Sequence, residues 1–283
     1  MMGRQEVQEA LFYRFRIEDH VPADHLLRRI DWLLDFSAIR HELEVLYSHT
    51  GRPSVDPELM IRMLLIGYLY GIRSERRLVD EVHLNLAYRW FCRLGLEGCV
   101  PDRSTFSKNR HGRFADGDIL RRVFEMVVER CAAFGLVGGQ AAAVDGSTIA
   151  ADASRDRKDQ PEAMQKTWAA KEDTTRPVRD YLDQLAAEAG QVQEGPQHKA
   201  PKYLSETDPQ AAWSIKDGPG RFSYETNYLI DTDHGIIMDV EATPARLSQE
   251  IVAAKKMLAR TAERHAFHPD ALAADKSYGT GPF

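Results

Sequence analysis

Cysteine is scarce: Cys92, Cys99 and Cys131 are the only three in 283 residues. They are too few and too scattered for a disulfide framework or a Cys-x-x-Cys zinc or redox motif, which points to a reducing cytosol. Long apolar runs are equally rare. The longest, Leu59 to Ile72, is interrupted by Arg62 and is shorter than the ~20 residues a bilayer requires, so a buried core helix is expected there and no membrane span. The N-terminal MMGRQEVQEALFYRF lacks a continuous apolar stretch of the secretory type, so no export is indicated. A charge excess of one sign is missing too: 37 basic against 43 acidic side chains leave −6, which excludes a protein that coats nucleic acid through bulk charge alone.

What is present is an ordinary globular composition, 43% hydrophobic and 28% charged, which excludes global disorder. The length sets an expectation of two domains at ~100–200 residues each. Residues 1–140 carry 20 basic and 20 acidic side chains and residues 141–283 carry 17 and 23, so the negative excess lies in the second half. Within 103–122, Arg103, Lys108, Arg110, Arg113, Arg121 and Arg122 face only Asp116 and Asp118, the best electrostatic match to phosphate in the chain.

The first 140 residues read as six or seven helices. Leu26, Leu27, Ile30, Leu33 and Leu34 fall on one helical stripe. Asp56-Pro57-Glu58 is a helix start, with a capping oxygen, proline in the first turn and an acid behind it. Ser74-Glu75 opens another helix, Asn85–Arg93 a short aromatic one, and Pro101-Asp102 caps a helix over Arg103–Phe114 that places Phe106 and Phe114 in the core. From Gln140 the period changes. AAAVDGSTIAAD reads as a small-residue strand, a Gly turn and a second extended piece. Residues 155–220 are polar and read as helices at about 160–190 and then a flexible stretch. Phe222–Asp231, a turn at 232–235 and Ile236–Thr243 form a β-hairpin. Pro244 to about Phe267 is an amphipathic helix with Ile251, Val252, Met257 and Leu258 inward, and Asp270–Asp275 is a short strand.

Asp145 and Asp275 each follow an apolar run, at the end of a central strand. Carboxylates on adjacent buried strands can converge on hard cations such as Mg²⁺, and such ions serve in-line phosphoryl displacement. By spacing alone each Asp equally suits a strand cap, and Asp145-Gly146 a turn. The helix at 103–114 presents Arg113 with the other cations and offers Lys108 and Arg110 for phosphates and Arg103 or Asn109 for base edges, in the manner of a recognition helix, or else a solvated basic face. Arg73, Arg76 and Arg77 read as an exposed helix start. The His265/His268 and His20/His25 pairs lack a zinc signature.

The block HTGRPSVDPELMIRMLLIGYLYGIRSERRLVDEV, LAYRWFCRLGL and VPDRSTFSKNRHGRF, within residues 49–114, resembles the helical N-terminal domain of bacterial insertion-sequence DDE transposases of the InsH-like group. AVDGSTIAADAS (143–154), the hairpin at 222–243 and ALAADKSYGT (271–280) resemble the first catalytic strand, the central hairpin and the second catalytic strand of that family. The resemblance implies an all-α DNA-binding domain over 1–138, then an incomplete ribonuclease H-like α/β domain over 139–283 with an α-rich insertion at about 155–220. It further implies that Asp145 and Asp275 are catalytic ligands of Mg²⁺ (or Mn²⁺), with Lys276 and Tyr278 as neighbours touching DNA. Implied partners are double-stranded DNA at terminal inverted repeats and target sites, and further copies of the chain, in the bacterial cytoplasm at the nucleoid. The family's third carboxylate is a Glu downstream of the second Asp. No Glu follows Asp275 in the eight residues that remain, and upstream acids such as Glu225 and Glu241 match the motif only by coincidence. The expectation is therefore a truncated or frame-interrupted transposase, with a non-catalytic DNA-binding remnant or inhibitor of a full-length relative as the alternative.

Overall fold

The computed structural model describes residues 15–44, 54–111, 114, 118–169, 174–175, 178–183, 201–215, 218–245, 249–275 and 278. The chain divides into two compact units, Met1–Arg130 and Cys131–Phe283.

The first unit is built from α1 (Ile17–His20), α2 (Leu26–Leu33), α3 (Ser37–Glu44), α4 (Pro57–Leu69), α5 (Glu75–Leu84), α6 (Leu86–Phe91), α7 (Arg103–His111) and α8 (Ile119–Ala133), the last of which runs into the second unit. Among the described residues no strand precedes Ala141. Local chemistry fixes the helix starts. Asp56 Oδ1 accepts from Glu58 N at 2.9 Å ahead of Pro57, Ser74 Oγ from Arg77 N at 3.3 Å, and Asn85 Oδ1 from Ala87 N at 2.9 Å and Tyr88 N at 3.3 Å, each satisfying an otherwise orphaned amide. Gly71, at φ 64°, ends α4 in the left-handed conformation that glycine adopts without a Cβ penalty.

One core joins these helices, with Leu27, Met60, Met63, Ile66, Val82, Phe91, Phe106 and Ile119 fully buried. Tyr88, Trp90 and Phe91 are core residues, and Phe106 and Phe114 are buried as their spacing indicates. The α2 stripe is narrower than expected. Leu27 is buried and Ile30 and Leu34 are half-buried, whereas Leu26 and Leu33 are exposed, because a short helix on the rim of the core buries only its innermost line.

The second unit contains β1 (Ala141–Ala150), β2 (Lys158–Asp159), α9 (Pro161–Ala169), β3 (Leu204–Ser205), β4 (Ala212–Ser214), β5 (Arg221–Asp231), β6 (Ile236–Pro244), α10 (Gln249–His265) and β7 (Ala271–Ala273). Its main sheet runs β4-β5-β1-β7, with β6 also paired to β5. β5 is antiparallel to β1 and to β6, and β7 is parallel to β1. The β5–β6 hairpin forms as its alternation indicates, turning through Gly235 at φ 69°.

Three expectations are corrected here. Gly146 is not a turn: β1 continues through it and pairs it with Asn227. A Cβ at Gly146 would lie 3.4 Å from Asn227 Oδ1, so glycine makes room for the neighbouring amide. The stretch before residue 220 is not simply flexible. β3 pairs with β2, β4 joins the main sheet, and Leu204 is buried with Met164, Trp168, Val178 and Tyr181 in a small core of its own. Finally, Pro244 closes β6 and does not open the helix, and α10 buries Glu250, Ala253, Ala254, Met257 and Thr261, while Val252 is exposed. Small side chains let the helix lie close to β5 and β6, where Arg260 bonds Asp239 at 2.7 Å and Glu241 at 2.8 Å.

Candidate functional site

The parallel pairing of β1 with β7 sets Ala141, Ala142 and Ala143 opposite Ala271, Leu272 and Ala273. Asp145 and Asp275 stand two residues beyond the last pair, one on each segment. Both are exposed. Asp145 lies inside β1, not at its end, and its Oδ1 accepts from Gly146 N at 2.8 Å. Strand alternation puts it on the face opposite the buried Ala142 and Val144, with Tyr228 as its cross-strand neighbour.

Tyr278 ties this pair to the interior. It is buried, and its backbone N–H donates to Asp275 O at 3.2 Å. Burial, and then the negative charges of Glu250, Asp145, Asp275 and Glu225, push its hydroxyl up to about 12. The phenol therefore stays protonated beside a concentration of carboxylates. Glu225, on β5, and Glu250, in the first turn of α10, are both buried. The sequence reading missed Glu250 and placed Tyr278 against DNA. The available signals were an acid opening a helix and an aromatic three positions after Asp275. Glu241 is otherwise engaged: burial raises its carboxyl, but bonds from Lys256 at 2.6 Å and Arg260 at 2.8 Å outweigh that and leave it lowered.

The folded chain holds the Tyr278 proton to about 12, against 10.0 for a free phenol. Between those pH values the native state binds more protons than the unfolded one, so stability falls as pH rises. Tyr278→Phe removes this contribution. Urea unfolding at a series of alkaline pH values is expected to show a shallower loss for the variant than for wild type. An identical slope would contradict the placement of the phenol.

Asp145 and Asp275 are oxygen donors only, the set that suits Mg²⁺ or Mn²⁺. Mg²⁺ is commonly held by one or two carboxylates while keeping several waters. Among the described residues no group of three His, Cys, Asp or Glu is arranged to hold a metal ion. Lys276 lies outside the described residues.

On α7, Asp102 caps the helix. Its carboxylate accepts from Ser104 Oγ at 2.7 Å, Thr105 Oγ1 at 2.8 Å, Thr105 N at 3.2 Å and Ser104 N at 2.8 Å, which holds it well below the usual carboxylate range. Arg103 and Lys108 are exposed. Arg110 is half-buried and pairs with Glu75 at 3.3 Å. Asn109 departs from the expected base-reading role: it is buried, and its Nδ2 donates to Thr105 O at 2.8 Å, so the amide is spent inside the unit. Arg113 lies outside the described residues. No helix among the described residues is long and apolar enough to cross a membrane.

No solved structure matches the chain. Residues 15–112, which span α1 to α7, match the family model described as Transposase domain (DUF772).

Proposed function

We propose that this protein acts in DNA transposition, with metal-dependent cleavage and strand transfer at the ends of an insertion element as its chemistry. The transposase-domain match over residues 15–112 carries the reading. The pairing of β1 antiparallel to β5 and parallel to β7, with Asp145 and Asp275 in register, supports a ribonuclease H-like second unit as the seat of that chemistry. The exposed cations Arg103 and Lys108 support DNA binding by α7.

In this reading Asp145 and Asp275 hold Mg²⁺ or Mn²⁺. When bound, the ion supplies Lewis-acid polarisation of a phosphoryl oxygen. The two carboxylates orient the reacting centre, and Tyr278, kept protonated, packs behind Asp275 and fixes the segment that bears it. Water attacks phosphorus and the P–O3′ bond breaks, releasing a 3′-hydroxyl. That hydroxyl then attacks a target phosphate, displacing its 3′-oxygen, with no covalent protein intermediate.

The test is nicking of duplex DNA by the full chain with Mg²⁺ or Mn²⁺, compared with Asp145→Asn. Metal-dependent nicking that the variant loses is the expected result. A chain that binds duplex DNA but leaves it intact with either ion would overturn the catalytic part and leave a protein that acts by occupying DNA.

A further inference from the structure

Between the end of α4, the start of α5 and α7, the first unit holds a groove of about 460 Å³. Its floor is apolar, formed by Leu64, Leu78 and Phe106, all buried. Its rim is not: Tyr68, Arg73 and Arg110 border it, and Tyr68 is 61% exposed. Among the described residues Glu75 is the one acid in the lining, and it is engaged with Arg110 at 3.3 Å, which steadies that guanidinium at the edge. Arg73 and Arg76 are exposed and make no ion pair among the described residues.

We infer that this groove holds one sugar–phosphate strand of duplex DNA, with Arg73 at its rim and Arg110 on the α7 side bound to phosphates and Tyr68 packed on a deoxyribose, while Arg76, outside the lining but exposed in the first turn of α5, takes a neighbouring phosphate of the same strand. The inference rests on the DNA-binding reading above and extends it from one helix to a two-sided surface. Charge complementarity decides the occupant. An apolar segment from a second copy would strip water from Arg73 and give its guanidinium no partner, a costly desolvation, whereas Arg110 keeps Glu75. A phosphate pairs with the planar guanidinium fork in bidentate fashion, and Tyr, Arg and backbone amides are common donors to phosphate and sugar. Arg73 and Arg76, read from sequence as an ordinary helix start, thereby join α7 in a single function.

Fluorescence anisotropy of the full chain on a duplex of about 30 base pairs, some three helical turns, across a potassium chloride series tests this. Arg73→Ala with Arg76→Ala is expected to lower the slope of log K against log salt by about 2, roughly one for each phosphate left without its arginine, and to weaken binding equally on unrelated sequences. Arg73→Lys with Arg76→Lys is expected to keep the slope. If the alanine pair binds with the wild-type slope while Arg103→Ala with Lys108→Ala lowers it, the groove inference is overturned and DNA binding by α7 stands. If the alanine pair changes self-association in sedimentation and not the slope, the groove takes a second copy and the inference is again overturned. If wild type does not bind the duplex at all, both readings fall.

Discussion

Arg62→Ala is expected to destabilise the first unit by about 3–5 kcal/mol, the cost of breaking a buried ion pair by removing one partner. Arg62 sits in the most apolar helix of the chain, yet only 2% of it is exposed. Its Nη1 donates to Asp31 Oδ1 at 2.6 Å and to Phe91 O at 3.0 Å, and its Nε to Glu58 Oε1 at 2.8 Å. The guanidinium also lies over the rings of Phe36 and Phe91, 5.0 and 4.9 Å from their centroids. One side chain thus ties α2, α4 and α6 together. Its loss leaves a buried carbonyl and two carboxylates short of a donor, although Asp31 keeps Arg93 at 2.9 Å. Arg62→Lys restores the charge but not the planar fork, so an intermediate loss is expected. Hydrogen exchange of the α4 amides under denaturant isolates the first unit from the second. A loss below about 1 kcal/mol for alanine would be the value of an exposed pair and would contradict the buried-network reading.

The parts of this fold that were legible in the sequence are those decided within a few residues. The caps at Asp56, Ser74 and Asn85 needed only an oxygen and the next turn of amides, and the β5–β6 hairpin needed only alternation and Gly235. What was not legible depends on partners far along the chain. Asp145-Gly146 has the composition of a turn and becomes strand because β5, some eighty residues later, pairs across it. Asn109 has a polar side chain on a basic helix and is buried because Thr105 O satisfies its amide. Ile251 and Val252 outrank Ala253 and Ala254 in hydrophobicity, but close approach of α10 to the sheet selects the smaller pair. Arg62 reads as an interruption of an apolar run until Asp31 and Phe91 arrive from other helices. Asp145 and Asp275 are candidates by sequence, whereas their equal offset of two residues from the last β1–β7 pair is a property of the register. Glu225, which shares with them the neighbourhood of Tyr278, carries no distinguishing local pattern, and Glu250 only that of an acid opening a helix.

Asp145→Asn and Asp275→Asn are expected to abolish metal-dependent DNA cleavage, each lowering the rate by at least about 10²-fold, the scale on which losing one transition-state-stabilising group registers. Asp145→Asn should leave the stability of the second unit unchanged. The side chain is exposed, and the asparagine oxygen can accept the Gly146 N–H bond that Asp145 Oδ1 accepts. This separates the substitution from core lesions such as Arg62→Ala: cleavage falls and stability holds. A variant that loses cleavage together with stability would show that the carboxylate serves the fold. Combining the two changes should cost little more than either alone, since groups that act on one centre are not additive.

The most direct measurement is Mn²⁺ binding to the full chain, followed by electron paramagnetic resonance, for wild type, the two single asparagine variants and the double variant. If the β1–β7 register assembles one cation site from Asp145 and Asp275, wild type binds the ion, each single variant loses at least about 10-fold in affinity, and the double variant does not bind at that site. Unchanged Mn²⁺ affinity in the double variant would contradict a divalent-cation site at these two residues.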